Sequence, residues 1–221
     1  MSDHYYSHSP NAKSEERTWR YTLRGHQFSF TTDRGVFSKG EVDFGSRLLI
    51  ETFQAPEIDG SILDVGCGYG PIGLALAKEY RDRSVVMMDV NERACTLAEK
   101  NATANGVTNC DIRCYENGVN ELRDSDTFAS VVTNPPIRAG KETVHEIYED
   151  AYERLLPGGE LWIVIQKKQG APSTKKKLED LFGEESVEVK AKDKGYFIFF
   201  CKKKIDLFFS LCYYYLMRIT A

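Results

Sequence analysis

The sequence predicts an α/β fold: a mostly parallel seven-stranded sheet with helices on both faces, an antiparallel edge and an N-terminal β-hairpin. Three observations predict it. Apolar runs of strand length alternate with helical stretches from Ser61 onward, and that alternation builds a parallel sheet. The run Ile62-Leu-Asp-Val65 leads directly into Gly66, Gly68 and Gly70 and then a helical stretch from Ile72, which is a strand–turn–helix unit. The last two strands, Ser186 to Lys190 and Gly195 to Cys201, are joined too closely for a helical crossover, so they close the sheet antiparallel.

Taken in order, residues 1–17 are polar and irregular and read as a flexible N-terminus. Residues 18–204 read as the folded domain. It begins with a hairpin over 18–32, in which Trp19 to Leu23 and Gln27 to Thr31 alternate at period two about Arg24-Gly-His26. A glycine-rich polar segment from Thr32 to Ser46 precedes a helix near Ser46 to Thr52, and it reads equally as a plain connector or as a segment that folds over a substrate. Val85 to Asp89 is a second strand of the sheet, followed by a helix over Glu92 to Asn105 that Gly106 ends. Asp111 to Tyr115 and Phe128 to Thr133 are further strands. A helix over Glu142 to Leu155 stops at Pro157-Gly-Gly159, an apolar strand covers Glu160 to Gln166, and a helix covers Lys175 to Phe182. Residues 205–221 follow a basic run and fall outside this pattern, so they read as a tail foreign to the domain.

The chain's 221 residues suit one domain with a full core. A net charge of −4 argues against a protein that coats nucleic acid by charge alone, though not against a local basic face. The six cysteines lack paired spacing and read as reduced thiols, with no metal site, in a cytoplasmic protein. No leader is expected from Met1 to Tyr6, and no apolar run reaches membrane-spanning length.

The glycine turn reads as a ligand cradle, because glycines let backbone N–H groups approach a bound molecule. Asp89 comes nineteen residues after Gly70, the spacing at which an acid holds a nucleotide ribose. Pro71 occupies the place of the third glycine of a dinucleotide fingerprint, which counts against a nicotinamide oxidoreductase.

A second motif, Thr133-Asn-Pro-Pro-Ile-Arg-Ala-Gly140, follows the fourth strand of the sheet at its ligand-binding edge. Consecutive prolines remove two donors and leave carbonyls free to accept. Asn134 adds a side-chain acceptor. Asn134, Pro135 and Pro136 therefore suit a substrate –NH2 group: the Asn134 oxygen and the Pro135 carbonyl each take one hydrogen and aim the nitrogen lone pair. That is catalysis by orientation and fixed dipoles.

The stretch Asp64-Val-Gly-Cys-Gly-Tyr-Gly70 resembles the first motif of Rossmann-like class I S-adenosylmethionine (AdoMet) methyltransferases. With Val36 to Lys39, Val42 to Ser46, Met88 to Asn91, Thr133 to Gly140 and Glu160 to Gly170, the chain is similar from about Trp19 to Lys204 to the small-domain methyltransferases related to 16S ribosomal RNA guanine-N2 methyltransferases. The resemblance implies AdoMet as cofactor, held by Asp64, Gly66, Cys67, Gly68, Gly70, Asp89, Val90, Asn117 and Asn134. It implies a guanine amine as acceptor, engaged by Asn134 and Pro135. It also implies ribosomal RNA or the small ribosomal subunit as partner, and the protein itself is expected as a monomer or homodimer.

Two departures from the family pattern bear on the site. An aromatic residue commonly follows the two prolines to stack on a flipped base; here Ile137 stands there, leaving Phe37 or Arg138 to stack instead. A Ser-Asp or Asn step commonly contacts the adenine, and Glu116-Asn117 occupies that place. Lys39, Arg138 and Lys141 flank the expected pocket as candidates for RNA phosphates, whereas Lys175 to Lys177 read equally as a solvated face. Two alternatives stay open: an N-methyltransferase of a protein glutamine amide or small amine, and a non-catalytic AdoMet-binding scaffold for RNA or the ribosome.

Overall fold

The glycine turn lies at the point where the sheet reverses its order. The computed structural model describes residues 13–38, 40–115, 122–123 and 125–205. Their elements run β1 (Arg17–Leu23), β2 (His26–Thr32), α1 (Phe44–Thr52), β3 (Ile62–Val65), α2 (Pro71–Glu79), β4 (Val85–Asp89), α3 (Glu92–Ala104), β5 (Cys110–Cys114), β6 (Phe128–Thr133), α4 (Lys141–Arg154), β7 (Leu155–Gln166), α5 (Ala171–Phe182), β8 (Val187–Asp193) and β9 (Tyr196–Lys202). The seven-stranded sheet has the order β5-β4-β3-β6-β7-β9-β8. The chain builds outward from β3 through β4 to β5, then returns to place β6 on the other side of β3, and the carboxyl ends of β3 and β6 open a crevice there. β3 pairs in parallel with both neighbours, Val65 opposite Met88 and Thr133. β9 pairs antiparallel to β7, with Gln166 opposite Tyr196.

Every residue of β3, β4 and β6 is buried, as strands covered on both faces require. Two cores result, one per face. Leu49 and Ile50 of α1 with the following Phe53, Ile72 and Leu76 of α2 and Leu97 of α3 meet Ile62, Val132, Trp162 and Val164 on one face. Tyr148 of α4 and Leu178 and Phe182 of α5 meet Leu63, Val65, Val131, Leu161 and Ile163 on the other. Alternate residues of β7 thus serve opposite cores, as a period of two dictates.

The hairpin β1–β2 forms its own sheet over the first core. Two asparagines, Asn101 of α3 and Asn105 at its C-cap, cover the otherwise unpaired edge of β2. Asn105 Oδ1 accepts from Ser29 N at 2.8 Å and its Nδ2 donates to Ser29 O at 2.9 Å, while Asn101 does the same for Thr31 at 2.7 and 3.0 Å. Two amides one helical turn apart stand in for a neighbouring strand, and the edge is closed to other chains. In the two-residue turn, Arg24 donates through Nη1 to Ile50 O and Phe53 O, both at 2.8 Å, satisfying carbonyls at the end of α1.

Several element bounds differ from the sequence expectation. α5 begins at Ala171 rather than Lys175, because Pro172 sits in its first turn, where a missing N–H leaves no bond unmade. β7 begins at Leu155, so α4 ends at Arg154 and the Pro157-Gly-Gly159 stretch belongs to a strand. Lys203 causes this: its N donates to Gly159 O at 2.8 Å and its O accepts from Gly158 N at 2.9 Å. Its ammonium also donates to Tyr152 O and Leu155 O at 2.7 and 2.8 Å, closing the end of α4. The N-terminal residues 1–12 and the tail from 206 lie outside the described residues.

Candidate active site

The loops after β3, β4 and β6 converge at the carboxyl edge of the sheet. The first is pinned to the second by backbone and carboxylate together. Gly66 N and Cys67 N donate to Met88 O at 2.8 and 2.9 Å. Asp89 Oδ2 accepts from Gly68 N at 2.7 Å, and Oδ1 from Asn91 N at 2.9 Å. Burial pushes the Asp89 carboxyl up to about 6, with these N–H groups pulling it back. The carboxylate, which also feels the Val90 N–H, keeps acceptor capacity for a ligand hydroxyl.

The glycines divide into two kinds. Gly66 and Gly68 have φ +74° and +58°, line a cavity, and a Cβ on either would meet no protein atom within 4 Å. The room belongs to a ligand. At Gly70 a Cβ would lie 2.9 Å from Leu74 Cδ1 and Met87 Cε, so this residue serves the contact of α2 with β4. Asp64 is buried behind the loop, where Oδ2 accepts from Gly73 N at 2.8 Å and Oδ1 has no protein partner. Burial raises its carboxyl to about 7.

Across the cavity, Thr133 Oγ1 donates to Val65 O at 2.8 Å and ties the end of β6 to that of β3. Asn134 follows, and its Nδ2 donates to Ser46 Oγ at 3.1 Å and Asp43 Oδ1 at 3.3 Å. A carboxylate only accepts, so Asp43 fixes which end of the amide faces α1 and leaves Oδ1 of Asn134 as the free acceptor. Asp43 is itself the N-cap of α1, accepting from Ser46 N at 3.1 Å. Pro136 has φ −75° and ψ 78°, an inverse γ-turn in which Pro135 O accepts from Ile137 N at 2.9 Å. One lone pair of that carbonyl remains.

The cavity holds about 320 Å³ and is lined by Gly66, Cys67, Gly68, Asp89, Val90, Asn134, Pro135, Pro136 and Phe37, all singled out in the sequence. Phe37 is 44% exposed at its rim. Asp64, Gly70, Ile137, Arg138 and Lys141 do not line it. Ile137 packs against the second core, while Arg138 and Lys141 are exposed beside the mouth, in the turn before α4 and at its first residue. Lys39 and Asn117 fall outside the described residues. Sequence reasoning missed Asp43 and Ser46 as partners of Asn134, and Tyr115, Glu146 and Asp150 as lining residues. An Asp-x-x-Ser step at a helix start is the one local signal that pointed to the first pair. The arrangement offers a carboxylate for hydroxyls, an open glycine cradle and two neutral acceptors side by side.

The sequence profile of the Methyltransferase small domain family (MTS) matches residues 27–200. The uncharacterised protein YbxB of Bacillus subtilis (strain 168) is 58% identical over 92% of this chain and 100% of its own length. The ribosomal RNA small subunit methyltransferase C of Vibrio cholerae serotype O1 is 29% identical, covering 89% of this chain and 56% of its own. Among solved structures, the T. thermophilus 16S rRNA N2 G1207 methyltransferase (RsmC) in complex with AdoMet and guanosine superposes with a TM-score of 0.74 and 28% identity, over 88% of this chain and 52% of that one. The chain spans about half the length of these ribosomal RNA methyltransferases.

Proposed function

Because this chain belongs to the methyltransferase small domain family, we propose that it uses AdoMet to methylate the exocyclic N2 amine of a guanine in small-subunit ribosomal RNA. The observation that carries this reading is the orientation of Asn134. With its nitrogen held by Asp43 and Ser46, its oxygen stands beside the Pro135 carbonyl as a two-point acceptor for an –NH2 group. The T. thermophilus relative of known structure holds AdoMet and guanosine, the same pair of ligands the reading requires.

The residues fit the cofactor. Asp89 would receive the ribose hydroxyls, and the open space over Gly66 and Gly68 would take another part of the molecule. When bound, AdoMet supplies an electrophilic methyl group on a sulfonium. The chain's own part is to present the nucleophile. Two accepted hydrogen bonds draw the amine hydrogens aside and turn its lone pair, otherwise delocalised into the ring, toward the methyl. The leaving thioether is neutral, so proton loss follows transfer and calls for no strong base at the clamp. Phe37, exposed at the rim, is the aromatic residue that would lie beside an extruded base in place of Ile137. A ribosomal substrate places the protein in the cytoplasm.

Methyl transfer from labelled AdoMet to ribosomal RNA lacking its native modifications, followed by nucleoside analysis, tests the reading. Label in N2-methylguanosine is the expected result. No label in RNA, with cofactor binding intact, overturns it.

A further inference from the structure

The start of α1 does more than orient Asn134. Residues 43, 44, 46 and 47 fall on adjoining parts of the helix circumference, so the face that touches Asn134 continues directly into Phe44 and Arg47. There the helix meets the β8–β9 turn. β9 runs antiparallel to β7 with Tyr196 opposite Gln166, the last residue of β7, which brings this turn to the same carboxyl edge as Asn134. Tyr196 lies over Gly45, where a Cβ would stand 3.0 Å from its ring, and its ring centroid is 5.5 Å from that of Phe44. Lys194 Nζ sits 4.8 Å from the Phe44 centroid and Arg47 Cζ 5.5 Å from it. Arg47 also donates to the Tyr21 hydroxyl at 2.6 Å.

Two features set this cluster apart from an ordinary charged surface. Two cations share one aromatic ring, and among the described residues neither is paired with a carboxylate; Asp193, the last residue of β8, bonds to neither. Gathered cations repel one another, and an anion between them relieves that repulsion. Lys194 also holds φ +45°, followed by Gly195 at +79°, a turn in which Asn or Gly is the unstrained choice. The chain keeps a lysine there although it is costly for the backbone.

We propose that Phe44, Arg47, Lys194 and Tyr196 form a docking track for the unpaired RNA strand beside the methylated nucleotide. The two half-buried rings hold the cations in place, and the cations meet the strand's phosphates. The inference rests on the RNA reading of the site and extends it from the reacting base to its neighbours. With a net charge of −4 the protein as a whole does not attract RNA, so a local cationic, aromatic rim has to supply the affinity.

Lys194→Gly is the decisive variant, because glycine suits the turn and removes only the side chain. Its melting temperature should equal or exceed that of the wild type. Its KM for ribosomal RNA should rise about threefold to tenfold, and the slope of log affinity against log salt should fall by about one. AdoMet affinity and kcat should stay unchanged. Lys194→Glu should raise KM further. Arg81→Glu, an exposed residue in the turn before β4 at the opposite edge, should shift KM by no more than about twofold. Wild-type RNA methylation with unaltered KM and salt slope in both Lys194 variants overturns the track and leaves the reading intact. An equal rise in Arg81→Glu also overturns it. Failure of the wild type to methylate or bind RNA removes the reading and the track together.

Discussion

Asn134 Nδ2 lies 3.3 Å from Asp43 Oδ1, across 91 residues of chain, and this contact decides which way the amide faces. The same carboxylate caps α1 through Ser46 N. A helix start and a substrate clamp therefore share one side chain.

Asp43→Asn separates those roles. Asparagine caps a helix as well as aspartate, so the melting temperature should hold. Its own amide no longer dictates the orientation of Asn134, and turnover should fall about tenfold to a hundredfold with AdoMet affinity unchanged. Asn134→Ala should show the same pattern, more deeply. Steady-state kinetics beside calorimetric AdoMet binding check both, and an unchanged kcat in Asn134→Ala would sink the clamp.

Asp89 holds two backbone N–H groups as well as facing the cavity. Asp89→Ala should thus weaken AdoMet binding and also destabilise the protein without ligand, by about 1–3 kcal/mol for the donors left unpaired. A thermal melt of the ligand-free variant tests the second half: if it matches the wild type, the carboxylate is not a fastener of the loop.

Gly68→Ala and Gly73→Ala should fail differently. A Cβ at Gly68 enters open cavity, so AdoMet binding should be lost at a stability cost of only about 1 kcal/mol for the positive φ. At Gly73 it would lie 2.6 Å from Met87 Cγ, and the penalty should appear in folding, at about 1–3 kcal/mol. Melting and binding measured together on both variants distinguish the two roles.

Asp64 predicts a pH dependence. Its folded value of about 7 lies above the unfolded 3.8, so between these the native state binds more protons and stability falls as pH rises. The penalty is complete above pH 7 and is relieved on acidification. Asp64→Asn keeps an acceptor for Gly73 N and carries no charge. Its gain over the wild type should be larger at pH 8 than at pH 5, by about 1–3 kcal/mol. Denaturation curves at the two pH values decide it, and equal gains would mean that the carboxyl ionises without cost.

What the sequence made legible was local. The strand, glycine turn and helix from Ile62 to Glu79 are neighbours in the chain, and so are Thr133 and Pro136, so spacing alone placed both motifs at one sheet edge. The bonds from Asn134 to Asp43 and Ser46 bridge separations of 91 and 88 residues and leave no periodic trace. The same holds for β7: Pro157-Gly-Gly159 has turn chemistry, and only pairing with distant Lys203 makes it a strand. The start of α5 was missed for another reason, since Pro172 reads as a breaker unless its first-turn position is known. The cation pair on Phe44 was illegible because it joins a helix start to a turn about 150 residues later.

The clasp between Lys203 and Gly158-Gly159 has a practical side. It ties the far end of β9 to the beginning of β7, at the rim of the sheet away from the cavity. Ile205 lies there too, within reach of Gly158. A tether grafted at that point would hold the molecule on a sensor surface with its cleft turned outward, open to an RNA in solution.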